Sequence, residues 1–167
     1  INDTFVNLPV SGSVATNGET DFHREEIKYP MAVLHPVFAM LALTLAVMMR
    51  MGLARYRAVT RREVDHRYYE VYQGEEPKHL RVLSRHFSNL LETPPLFYIA
   101  CIIAFVTDQQ GDLIIGLAWA YVALRLLHTC IHLGGNVVAL RFKVFVLSMA
   151  VLTAMLVALF IGILYPL

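Results

Sequence analysis

The stretch Val144–Tyr165, VFVLSMAVLTAMLVALFIGILY, contains no charged residue. An α-helix of roughly 20 apolar residues, at about 1.5 Å rise each, crosses the about 30 Å of hydrocarbon in a bilayer. Working back along the chain, stretches near 31–49, 88–106 and 113–133 meet or nearly meet the same test. The first is interrupted only by His35-Pro36 near one end, where proline falls in the opening turns of a helix and costs little. The second carries Glu92 and Pro94-Pro95, and the third carries Arg125, His128 and His132, so any chemistry is expected between these two. The composition agrees. In 167 residues, 57% are hydrophobic and 16% charged, with mean hydropathy +0.54, more apolar surface than a soluble core of this size buries. The expected fold class is all-α: an integral membrane four-helix bundle over residues 31–167, preceded by a polar arm over residues 1–30.

Lys and Arg counts in the short loops set the expected orientation, because basic residues are retained on the cytoplasmic side. Arg50, Arg55, Arg57, Arg61, Arg62, Arg67, Lys78, Arg81 and Arg85 follow the first span, and Arg141 and Lys143 follow the third. The connector Thr107–Asp112 has no basic residue, and residues 1–30 hold Arg24 and Lys28 against five acids. Both termini are therefore expected on the outer, periplasmic side. Within residues 57–86, acids interleave with the bases, which predicts solvated helix and turn broken by Gly74 and Pro77. That basic stretch also suits a patch for anionic lipid headgroups. A net charge of +1 with clustered bases excludes a nucleic-acid groove. Cys101 and Cys130 lie in apolar segments and read as packing residues, not as a disulfide or CxxC site. No signal peptide is read in residues 1–30.

Arg85, Asn89 and Glu92 stand at i, i+4 and i+7, which puts them on one helical face at the basic end of the second span. Tyr121, Arg125, His128 and His132 make a second one-face stripe, at i, i+4, i+7 and i+11, descending toward the same surface. The depth of Glu92 matches that of Arg125 and His128, so an acid and a base can meet there. An unpaired arginine at mid-span costs roughly 2.5–3.5 kcal/mol on insertion scales. One reading is a structural ion pair joining two helices, with the histidines as hydrogen-bonding glue. The other is a hydrated pocket open to the cytoplasm that receives a small anion, where Arg141 adds a fixed positive charge able to hold a carboxylate or stabilise a thiolate. No metal site is expected: His128 and His132 at i, i+4 find no further Cys, His or acid on their face, apart from Glu92 across the gap. A transporter is disfavoured, since no inverted repeat is present.

Three linked motifs resemble a known family, the membrane-associated proteins in eicosanoid and glutathione metabolism (MAPEG). They are Arg85-x-x-x-Asn89-x-x-Glu92 followed by Pro95-Leu96-Phe97, Arg125-x-x-His128, and Arg141 at the start of the fourth span. The resemblance covers about residues 31–165 and is strongest to bacterial members, which implies a bacterial inner membrane. It implies a homotrimer with glutathione as co-substrate, bound in clefts between subunits at the cytoplasmic side. By position, Arg85, Asn89 and Glu92 would hold the peptide, Arg125, His128 and His132 would complete the wall, and Arg50 would add a basic group. Arg141 matches the arginine that stabilises the sulfur as thiolate for attack on a lipophilic small molecule. Two positions depart from the pattern: His132 stands where catalytic relatives have tyrosine, and Phe145 where an aromatic hydroxyl is expected. The implied activity is of glutathione transferase or peroxidase type. The alternative is a non-catalytic subunit of this fold serving as scaffold in a larger membrane complex.

Overall fold

The computed structural model describes residues 31–72 and 74–165; the expected outer arm, residues 1–30, lies outside them. Six helices follow one another: α1 (Leu34–Thr60), α2 (Tyr68–Val71), α3 (Lys78–Glu92), α4 (Pro94–Val106), α5 (Asp112–Leu133) and α6 (Val138–Leu164). Four helical segments are long and apolar enough to cross a membrane: α1, α3 with α4 taken together as Lys78–Val106, α5 and α6. The described residues are thus all-helical in their regular structure, with four segments able to span a membrane.

Local chemistry accounts for the breaks. Pro94 and Pro95 occupy the first positions of α4 and have no N–H to offer the carbonyls of Leu90 and Leu91, so the helical ladder is cut at Thr93. Pro77 caps the start of α3, and Gly74 takes φ +112°, a left-handed region that suits glycine. Between α5 and α6 the turn closes through bonds from the Gly134 N–H to the Cys130 carbonyl (3.0 Å) and from the Asn136 N–H to the Ile131 carbonyl (2.9 Å). A Cβ at Gly134 would lie 2.8 Å from the Cys130 oxygen, so no side chain fits there. Asn136, at φ 47°, is one of the residues that tolerate this conformation.

The α5 and α6 helices form the most extensive pairing, with α1, α3 and α4 closing around them. The core runs along this seam through Met40, Phe97, Ala118, Tyr121, Leu152 and Met155, with Phe97 stacked on Tyr121 at 4.6 Å between centroids. Cys101 packs in this core, but Cys130 is exposed, which corrects the expectation for the second cysteine. Phe38, Leu45, Leu127, Phe142, Val157 and Phe160 point outward from several faces. Each such side chain gains about 1.5–3 kcal/mol when it leaves water, so the outer surface requires lipid or protein around it. The linker after α1 is not wholly solvated. Ala58, Val64 and Leu80 bury one another, and Arg55 lies 5.3 and 5.8 Å from the Tyr69 and Tyr72 rings and bonds Ser84 Oγ at 3.1 Å. Burial, with Glu76 nearby, raises the Tyr69 phenol above its usual pKa.

Candidate functional site

A cavity of 510 Å³ opens where α3, α5 and the first turn of α6 converge. Arg85, Asn89, Glu92, His128, His132 and Arg141 line it together, with Ser84, Ser88, Glu76 and Arg81 toward the linker. A smaller space of 250 Å³ shares Asn89, His128 and Arg141 and adds Val138, Phe142 and Phe145. One set of walls is charged and the other apolar, as a polar ligand with a lipophilic partner would need.

The helical registers explain the gathering. Arg85, Asn89 and Glu92 follow one face of α3, while His128 and His132, one turn apart on α5, face it from the other side. Arg141 in the first turn of α6 is held by two contacts, donating to Asn136 Oδ1 at 2.7 Å and to His132 Nε2 at 3.2 Å. The turn residue that accommodates φ 47° therefore also aims the arginine.

Two expected members stand elsewhere. Arg125 is fully buried and does not line the cavity. Its Nε donates to Tyr121 Oη (3.1 Å), one Nη to Asn89 Oδ1 (3.3 Å) and the other to Thr93 Oγ1 (2.6 Å), while its Cζ lies 5.2 Å from both the Tyr121 and Phe145 ring centroids. The Glu92–Arg125 ion pair of the structural reading is not formed among the described residues. Glu92 is exposed on the groove, and among the described residues the salt bridges are His66–Asp65 and His79–Glu63. The reason is angular. Asn89 and Thr93 are one turn apart and present their oxygens to Arg125, whereas Glu92 precedes Thr93 and points away around the helix. Arg50 lines a different cavity, of 1070 Å³, between α1 and α3, beside Arg57, Lys78 and His79; His132 touches both cavities.

Residues that the motif reading passed over complete the site. His86, on α3, is buried beside His128 and His132, so across the gap the pair meets a histidine in addition to the Glu92 named from the sequence. The signal was present in the sequence: Leu80, Leu83, His86 and Leu90 recur at helical spacing and form the buried stripe of α3. Thr93, Thr129 and Asn136 were equally silent, because a short polar side chain announces its partner only once the helices are docked.

A family model described as MAPEG family matches residues 33–161. No curated protein and no solved structure matches the chain.

Proposed function

Since this chain belongs to the MAPEG family, we propose that it binds glutathione in the α3–α5–α6 cavity and conjugates it to a lipophilic electrophile. What supports this reading most is that six residues from three helices, Arg85, Asn89, Glu92, His128, His132 and Arg141, line one cavity. Glutathione carries two carboxylates and one ammonium. Arg85 and Arg81 complement the former and Glu92 the latter. Arg125 serves the site from behind by holding Asn89, rather than by touching ligand.

In the proposed reaction the thiol proton leaves to solvent, and the Arg141 guanidinium favours the thiolate at the cavity rim. The sulfur lone pair then forms a bond to the electrophilic carbon; either a leaving group departs with its bonding pair, or the displaced pair moves to a neighbouring atom that takes up a proton from solvent. The apolar walls at Val138, Phe142 and Phe145 offer the electrophile a route from the bilayer. We further infer that the basic end faces the cytoplasm of a bacterial inner membrane, that both termini lie outside, and that the functional unit is a homotrimer whose neighbours close the cavity.

The test is glutathione titration of the detergent-purified protein, followed by calorimetry and by thiolate ultraviolet absorbance. Saturable binding with a thiolate band in the wild type, and binding without the band in Arg141→Ala, is the expected result. A wild type with neither heat nor band ends the proposal.

One observation favours the second reading, a non-catalytic scaffold subunit. Among the described residues, Phe145 and His132 leave the cavity without an aromatic hydroxyl to assist the sulfur, and the Tyr121 hydroxyl lies off it, its oxygen accepting from Arg125 Nε. A stoichiometric partner that persists in mild detergent, with no glutathione binding, would decide for it.

A further inference from the structure

Behind the cavity wall, three imidazoles from two helices meet. His86 on α3 is 0% exposed, and His128 and His132 on α5 are 3% and 5% exposed. Their ring centroids lie 4.8 Å apart for His86 and His132, 5.9 Å for His86 and His128, and 5.8 Å for His128 and His132. One nitrogen from each ring falls within 4.8 Å of the others. Among the described residues, His86 Nδ1, both nitrogens of His128 and His132 Nδ1 have no hydrogen-bond partner. Buried polar atoms are normally satisfied, and each orphan costs about 1–3 kcal/mol. Of these, His86 Nδ1 and one nitrogen of His128 carry lone pairs that an occupant would take up.

Hydrogen bonding fixes what two of the rings offer. The Thr129 hydroxyl donates to the Arg125 carbonyl at 2.8 Å, so at 3.1 Å from His86 Nε2 it accepts. His86 is therefore the Nε2–H tautomer, with an unpartnered lone pair on buried Nδ1. A ring whose far N–H is held by a fixed oxygen is the arrangement metal-ligating histidines adopt. His128 presents one free lone pair in either neutral tautomer. His132 Nε2 accepts from Arg141, because a guanidinium only donates, and Arg141 keeps Asn136 Oδ1 when it lets go.

We propose that His86, His128 and His132 form a binding site for one late first-row transition-metal ion, of the class that takes neutral imidazole nitrogen. Ligand atoms around a tetrahedral ion with bonds of about 2.0–2.1 Å stand about 3.3 Å apart, so the rings close by rotamer adjustment within the cluster. The unoccupied coordination position borders the cavity that His128 and His132 line. Arg125 and Arg141 oppose a cation here, while Glu76 and Glu92 on the same cavity offset part of that charge. This site lies within one chain and does not depend on glutathione binding.

The experiment titrates tag-free, detergent-purified, full-length protein with Co²⁺ in the absence of thiol. One equivalent per chain, with the visible bands of tetrahedral cobalt and displacement by Zn²⁺, is expected. His86→Gln and His128→Gln lose the bands. Arg141→Met, which frees His132 and removes a cation, binds about tenfold tighter. Absence of bands in the wild type, their persistence in His86→Gln, or weaker binding in Arg141→Met overturns the site. Should the histidine variants unfold, zinc-edge X-ray absorption of the loaded wild type reads the same question. Three imidazoles support the site, and a shell dominated by oxygen overturns it.

Discussion

Two polar clusters sit side by side on α5, and they are built on opposite principles. Around Arg125, Nε and both terminal nitrogens find a hydroxyl or amide oxygen, and Tyr121 and Phe145 flank the guanidinium. One turn further on, the cluster of His86, His128 and His132 leaves four ring nitrogens without partners among the described residues. A buried network that is complete adds rigidity, whereas an incomplete one carries a desolvation cost that only a ligand removes. Arg125 is thus held as a structural knot, while the imidazoles are the groups left with unpartnered nitrogens among the described residues.

The largest effect that tests this contrast is Arg125→Met. It strands Tyr121 Oη and Asn89 Oδ1, leaves Thr93 Oγ1 only its 3.3 Å bond to the Asn89 carbonyl, and is expected to cost about 3 kcal/mol or more by thermal unfolding in detergent. A loss under about 1 kcal/mol would mean the knot does not hold the helices. Thr93→Val removes only the 2.6 Å acceptor and is expected to cost about 2 kcal/mol, because a buried charged donor is then left bare. Equal stability to wild type would show that another acceptor replaces it.

The histidine side of the comparison predicts the reverse sign. His128→Leu removes two orphaned nitrogens from a 3% exposed site, and in the absence of ligand is expected to raise stability by about 1 kcal/mol. The same variant should bind glutathione more weakly by calorimetry, and a destabilised His128→Leu would erase the distinction between the clusters. The smallest effect is expected from Asn136→Gly. Glycine accepts φ 47° freely, so the melting curve should move by less than about 0.5 kcal/mol. Arg141 loses its 2.7 Å anchor, however, and the thiolate band should weaken severalfold.

Arg85, Asn89 and Glu92 were legible as a group because one helix carries them, and fixed rotation per residue places them on one face whatever else the chain does. His128, His132 and Arg141 join them in the cavity, the last of these recognisable from its motif. Arg50 and Arg125 went elsewhere, and His86 was overlooked, for one reason. Depth in a membrane follows from residue number along a helix, but azimuth depends on how neighbouring helices rotate against one another, and side-chain packing sets that rotation.

The sequence by itself therefore determined that residues 31–165 carry four helical segments long and apolar enough to cross a membrane, since lipid offers no partner for backbone N–H and C=O groups and leaves long apolar stretches no other state. Only the tertiary structure decided that Arg125 bonds Asn89 and Thr93 instead of Glu92, and that His86 on α3 closes a triangle with two histidines of α5. Those choices turn on rotations of a fraction of a helical turn between packed helices. No single helix encodes them, because they minimise the unsatisfied polar surface of several helices at once.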